Sequence, residues 1–248
     1  MPKPQPADRG RGWARPGTLL VPGFLALVAV LAVTAWMAAR DEGRPAATPA
    51  AAPSTSDGVS SAETNAAGPG PGRAALSTTV PTSPPARVRW ELYGTVPLPY
   101  SAAAGPSSVR GDVATGYAHD PVGALVASQQ LSARKLLAAD WRAVALAGLA
   151  PGAGRDAWLA LRARYGTLAS PPPGQLAQTA GFRFVDYDPG RAVIQTVSRF
   201  PSGALQVTTS TVVWSGTDWQ LVLQPDGSDS PTAQPVTSLA GFVAWGGV

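Results

Sequence analysis

The chain has 248 residues, of which 26 are proline and 27 glycine, with 14% charged side chains and a formal net charge of +4. It has no cysteine and one histidine, which excludes disulfides, thiolate metal sites, cysteine nucleophiles and a multi-histidine zinc centre. The positive charge is concentrated at the start. Residues 1–18 carry Lys3, Arg9, Arg11 and Arg15 against Asp8, a net of +3, whereas residues 88–248 carry eleven basic and ten acidic side chains. A basic tail beside an apolar run is a membrane topology signal, and no direct nucleic-acid contact is expected.

That run is "LLVPGFLALVAVLAVTAWMAA" over residues 19–39, without a charge and followed by Arg40. At 1.5 Å per residue its 21 residues reach about 31 Å, the thickness of a bilayer core. Trp13 and Trp36 stand near its ends, where indoles favour the interface. A single-pass anchor is expected here, with residues 1–18 cytoplasmic and the rest outside the cell. The alternative is a cleaved signal peptide, for which only Val33-Thr34-Ala35 offers a small-x-small site; the product would then be a secreted binding module. Residues 40–87, rich in Ala, Pro, Ser and Gly and poor in large apolar side chains, bury too little surface to offset chain entropy. They are expected to be a disordered tether.

From residue 88 an extracytoplasmic α+β domain is expected to run to residue 248. "VRWELYGTVPLPYSAAAGP" suits a covering arm, since its prolines disfavour a central strand. In "AHDPVGAL" Asp120 is an N-cap and Pro121 a first helical residue. The following helix gathers Val122, Leu125, Val126, Gln129, Ala133, Leu136 and Leu137 on one stripe, leaving Arg134 and Lys135 to point away. A second helix follows Asp140, and "RDAWLALRARYG" gives a third, with Trp158, Leu161 and Tyr165 as its apolar face. "TAGFRFVDYD", "RAVIQTVSRF", "LQVTTSTVVW" and "WQLVLQ", separated by "PG", "PSGA" and "SGTD", read as four antiparallel strands. The fold class is therefore α+β, about three helices packed on one side of a curved four-stranded antiparallel sheet. The closing stretch 235–248 is apolar enough to pack as a strand or a short helix.

No nucleophile elbow, P-loop, GxGxxG or metal-ligand spacing occurs, so no catalytic, cofactor-binding or metal-ligating residue is assigned and no cofactor is expected. His119 precedes an N-cap, a place where packing is the commonest duty. An acid–base role would need Asp140, Asp156 or Asp186 as partner, and each has a simpler reading as a helix cap, a first-turn residue or a hairpin-turn neighbour. His119 and Gln129 are kept as candidate pocket residues. Arg134, Lys135, Arg155 and Arg162 are the candidate partner surface.

The order of anchor, proline-rich tether and "WELYGTVPLPYSAAAGPSSVRGDVATGYAHDPVGALVASQQL", together with "WRAVALAGLAPGAGRDAW" and "SLAGFVAW", resembles a family. These are the single-pass proteins of integrative conjugative elements and plasmids of high-GC Gram-positive bacteria. The resemblance implies a nuclear-transport-factor-2-like cone domain, similar to that of the bitopic assembly factors of type IV secretion. It implies a non-enzymatic scaffold of a conjugative transfer apparatus, working through other membrane subunits or as a homo-oligomer. The alternative is a ligand-binding or enzymatic cone.

Overall fold

The computed structural model describes residues 76–165, 172, 174–229 and 233–247. The basic tail 1–18, the apolar segment 19–39 and most of the expected tether lie outside them. Among the described residues no helix is long and apolar enough to cross a membrane. Among the described residues the first regular element begins at Val88.

Two small hairpins come first: β1 (Val88–Tyr93) with β2 (Val96–Ser101), and β3 (Ser108–Arg110) with β4 (Val113–Thr115). Pro97 and Pro99 are tolerated in β2 because that strand pairs on one side alone, opposite Leu92 and Trp90. Helix α1 (Pro121–Leu137) follows, capped by Asp120 Oδ1, which accepts the Gly123 N–H at 2.7 Å, with Pro121 in the first turn as the sequence requires. Helix α2 (Trp141–Gly148) is capped by Asp140 through the Ala143 N–H at 3.1 Å, and α3 spans Ala153–Tyr165.

The main sheet is a correction to the four strands expected. Strands β5 (Gln178–Asp188), β6 (Arg191–Arg199), β7 (Leu205–Trp214) and β8 (Trp219–Val222) are present as an antiparallel meander. The sheet has six strands, because β10 (Val243–Ala244) pairs with β5 and β9 (Gln234–Val236) pairs with β7. The cause is unequal strand length. β8 pairs with Thr211–Trp214 alone, so the backbone of Leu205–Val207 is left open, and β9 fills it. β10 likewise covers Gly181–Phe182 at the outer edge of β5. With the two separate hairpins added, helices on one four-stranded cone no longer describe the domain. The closing stretch, left open between strand and helix, contributes two short strands.

Helix α1 departs from its expected single stripe. Its Gln129 side faces the sheet and its Gln130–Arg134 side faces the hairpins, so nearly every residue from Pro121 to Leu131 is buried. Leu136, placed on the apolar stripe from sequence, is 37% exposed because the covering elements end before it. Leu125, Leu131, Phe182, Ile194, Val212, Trp219 and Leu221 form the centre of the core. Each such aliphatic or aromatic side chain contributes about 2 kcal/mol by leaving water. Facing α1, β6 and β7 present Ile194, Thr196, Ser210 and Val212, a more polar surface than their opposite faces would have offered.

Candidate functional site

His119 is built into the frame. Its ring lies on that of Trp214 with centroids 3.8 Å apart and planes 5° from parallel, and it meets Trp219 edge-on at 5.7 Å. Nε2 is bonded to the Pro189 carbonyl, which can only accept, so Nε2 carries the proton. The loop that holds His119 is gripped by the β7–β8 turn. Asp218 accepts the N–H groups of Gly116 (2.7 Å) and Tyr117 (3.1 Å), and the Trp219 indole N–H donates to the Ala118 carbonyl at 2.9 Å. Gly123 belongs to the same closure, because any Cβ there would run into the backbone of Ala118. Among the described residues none of the three expected acid–base partners hydrogen-bonds His119. Asp140 caps α2, Asp156 lies beside Arg155, and Asp186 pairs with Arg191 at 3.1 Å.

Gln129 is also satisfied within the core. Its Oε1 accepts from the Thr179 hydroxyl and its Nε2 donates to Thr196 Oγ1, both at 2.8 Å. His119 and Gln129 therefore share no pocket: one closes a loop, the other joins α1 to the sheet.

The expected partner surface needs correction. Arg134 is 1% exposed and Lys135 2%, because the β1–β2 and β3–β4 hairpins and the stretch after β8 cover the side of α1 assigned to solvent. Arg134 donates to Gln130 Oε1 (2.7 Å), the Asp112 carbonyl (2.8 Å) and Tyr100 Oη (2.8 Å), with its guanidinium over the Tyr93 ring at 4.3 Å. Lys135 Nζ is 2.7 Å from Asp229 Oδ2. Arg162 is 4% exposed beside Trp141, and its burial lowers its pKa, while Leu161 and Tyr165, expected inside, are more than a third exposed. Helix α3 thus turns its Trp158–Arg162 side inward. Arg155 is half-buried.

The Arg134 network continues through Tyr93, whose hydroxyl donates to Asp112 Oδ1 at 2.6 Å, while Asp112 Oδ2 accepts the Asp140 N–H at 2.9 Å. Burial and the neighbouring carboxylate push the Tyr93 hydroxyl well above its ordinary pKa. Burial alone would raise Asp112 as well. The bonds from Tyr93 and from the Asp140 and Ala139 N–H groups, with the Arg134 charge, outweigh it and hold Asp112 low. These groups serve as a polar clamp that fastens both hairpins to α1.

The cavity lies elsewhere. A groove of about 870 Å³ opens where the chain enters the domain. It is lined by Pro84, Pro85, Val88 and Trp90, by Gln178, Thr179 and Ala180 at the start of β5, by Arg199 at the end of β6, and by Phe200 and Pro201 after it. Gly174, Leu176 and the closing Ala244, Trp245 and Gly246 complete it. Register brings these distant segments together: Gln178 pairs with Arg199, and the Trp245 N–H donates to the Ala180 carbonyl at 3.1 Å. The rings of Trp90 and Trp245 are 4.7 Å apart and tilted by 59°. The two glycines after Trp245 allow that approach, since a Cβ on Gly247 would lie 2.7 Å from Pro97 Cβ and 3.0 Å from the Trp90 ring.

Among the described residues Arg199 is the one ionisable side chain lining the groove, and it has no ion pair or side-chain hydrogen bond there. The lining offers aromatic and proline faces, two uncharged polar side chains and a cation. Such a set is suited to contact with a ligand, and among the described lining residues none is a carboxylate or histidine. Sequence reasoning missed the groove because its parts lie in four separated stretches. The available signal was Trp90 in the covering arm and Trp245 in the closing stretch, one indole at each end of the domain.

A family model described as "Domain of unknown function (DUF8175)" matches residues 51–244. No curated protein matches, and no solved structure matches.

Proposed function

The chain belongs to the DUF8175 family, and from the groove at the foot of its sheet we propose that it is a non-enzymatic, membrane-tethered binding domain acting by protein–protein contact. The observation that carries this reading is the groove itself, about 870 Å³ with aromatic and proline surfaces and, among the described residues, Arg199 as its one ionisable side chain. Cavities of this size accommodate ligands, and among the described residues this one shows no paired titratable groups of the kind acid–base chemistry uses. Support for tethering is the uncharged run of residues 19–39 with its basic flank. The tether of residues 40–87 then leads directly to Pro84 and Pro85 on the groove, so the binding surface faces the root of the tether. Support for a place in a conjugative transfer apparatus is the resemblance of the stretch from Trp90 through Leu131 and of "SLAGFVAW" to the proteins of integrative conjugative elements. In that setting the chain is a scaffold that holds other membrane subunits.

A photoreactive phenylalanine analogue in place of Phe200, activated in intact host cells, tests the contact. Discrete crosslinks to membrane proteins are expected. Crosslinks confined to cytosolic proteins would overturn the tethered reading, and unchanged transfer of the element after deletion of the gene would overturn the conjugative one.

A further inference from the structure

We infer that the groove takes an extended, proline-containing peptide segment of a partner protein, with a carboxylate of that segment paired to Arg199. This rests on the binding-domain reading above and names the chemistry of its occupant.

Three observations converge on it. The first is charge. Arg199 is exposed at the end of β6 and has no partner among the described residues, while its backbone is fixed by the ladder pairing with Gln178. Among the described residues no carboxylate lines the groove, so an anionic ligand is favoured over a cationic one. The second is shape and surface. Trp90 is half-buried, held from one side by Trp245, and Phe200 is 38% exposed across the same groove. Flat rings of this kind are the surfaces on which prolines of a polyproline II segment pack, and such a segment is already extended when free, so little conformational entropy is lost on docking. Pro84 and Pro85 of this chain lie along the same surface, in contact with the same volume.

The third is the balance of donors and acceptors. A proline-containing segment presents carbonyls and few N–H groups. Among the described residues the lining side chains that carry donors are Gln178, Arg199, the indoles of Trp90 and Trp245, and Thr179, whose hydroxyl proton is already given to Gln129. That supply matches a few peptide carbonyls and one carboxylate. A saccharide, with a hydroxyl on nearly every carbon, would leave most of its polar groups without partners there, which is costly on burial.

The test is titration calorimetry on the full-length protein in detergent micelles. Three probes are used: an alternating Ala-Pro peptide of roughly ten residues with a free C-terminal carboxylate, the same peptide amidated, and chitotetraose. Saturable binding of the acid is expected, with the amide about tenfold weaker. Arg199→Gln should lower affinity for the acid about tenfold and leave the amide unchanged, and since the side chain is exposed the fold is not at risk. Phe200→Ala should weaken both peptides. Absence of saturable peptide binding, equal affinity for acid and amide, or tighter binding of chitotetraose would each overturn the inference. If the peptides fail while Phe200 still crosslinks to membrane proteins in cells, the occupant is wrong and the binding domain stands. If both fail, both readings fall.

Discussion

The imidazole of His119 rests on the indole of Trp214, 3.8 Å between centroids and nearly parallel, and its Nε2 proton is held by the Pro189 carbonyl. The only histidine of the chain thus closes the loop before α1 onto two hairpin turns. His119→Ala should lower unfolding free energy by about 1–3 kcal/mol, from the lost ring stack and hydrogen bond. Peptide binding at the groove should be unchanged, because His119 does not line it. Urea denaturation with calorimetry on the same variant checks both halves.

Arg134 joins three acceptors from three parts of the chain inside a covered space. Arg134→Ala removes the donor and leaves Gln130 Oε1, the Asp112 carbonyl and the Tyr100 oxygen buried without it. A loss of about 2–4 kcal/mol is expected. Tyr93→Phe, which removes one hydroxyl beside a carboxylate that keeps its backbone donors, should cost about 1–2 kcal/mol. Chemical denaturation of the two variants ranks them, and an equal cost would contradict the central place given to Arg134.

Gly246 passes so close to the Thr179 carbonyl that a Cβ has no room there. The obstacle is backbone of β5, which cannot rotate away. Gly246→Ala should therefore displace the closing strand, lower stability by about 1–3 kcal/mol and weaken the groove's ligand binding together with it. Thermal melting and peptide titration on one sample measure the coupling; unchanged binding at reduced stability would separate the tail from the groove.

Asp112 has a pKa below its ordinary 3.8, and Tyr187 is raised by burial, with Asp120 and Asp188 adding, to about 12. For Asp112 the folded state holds the proton less tightly than the unfolded chain. Its contribution is present above pH 3.8 and is lost as pH falls through the lower folded value. For Tyr187 the folded state keeps the proton longer, so its contribution is complete below pH 10 and is lost between 10 and about 12. Unfolding free energy measured against pH should fall at both limits. Asp112→Asn should flatten the acid limb, and Tyr187→Phe the alkaline one.

What was legible in the sequence followed local rules. Asp120 with Pro121, and Asp140, fixed two helix starts, and period-two alternation with turn residues marked β5 to β8. Strands β9 and β10 were not legible, because three- and two-residue strands carry no period and exist only where longer neighbours leave backbone uncovered. Arg134 and Lys135 misled for a related reason. A one-sided stripe assumes one packing partner, whereas α1 has a sheet on one side and hairpins on another. The groove depends on pairings between residues about twenty to a hundred and fifty-five positions apart in sequence, which no local pattern encodes.

Trp90 stands near the beginning of the folded domain, and the indole and glycines that fix it stand at Trp245, Gly246 and Gly247. A ribosome delivers those residues more than a hundred and fifty positions later. During synthesis the first hairpin can be held by Arg134 and Gln130 of α1 alone, and the aromatic wall of the groove closes only when the whole domain has emerged.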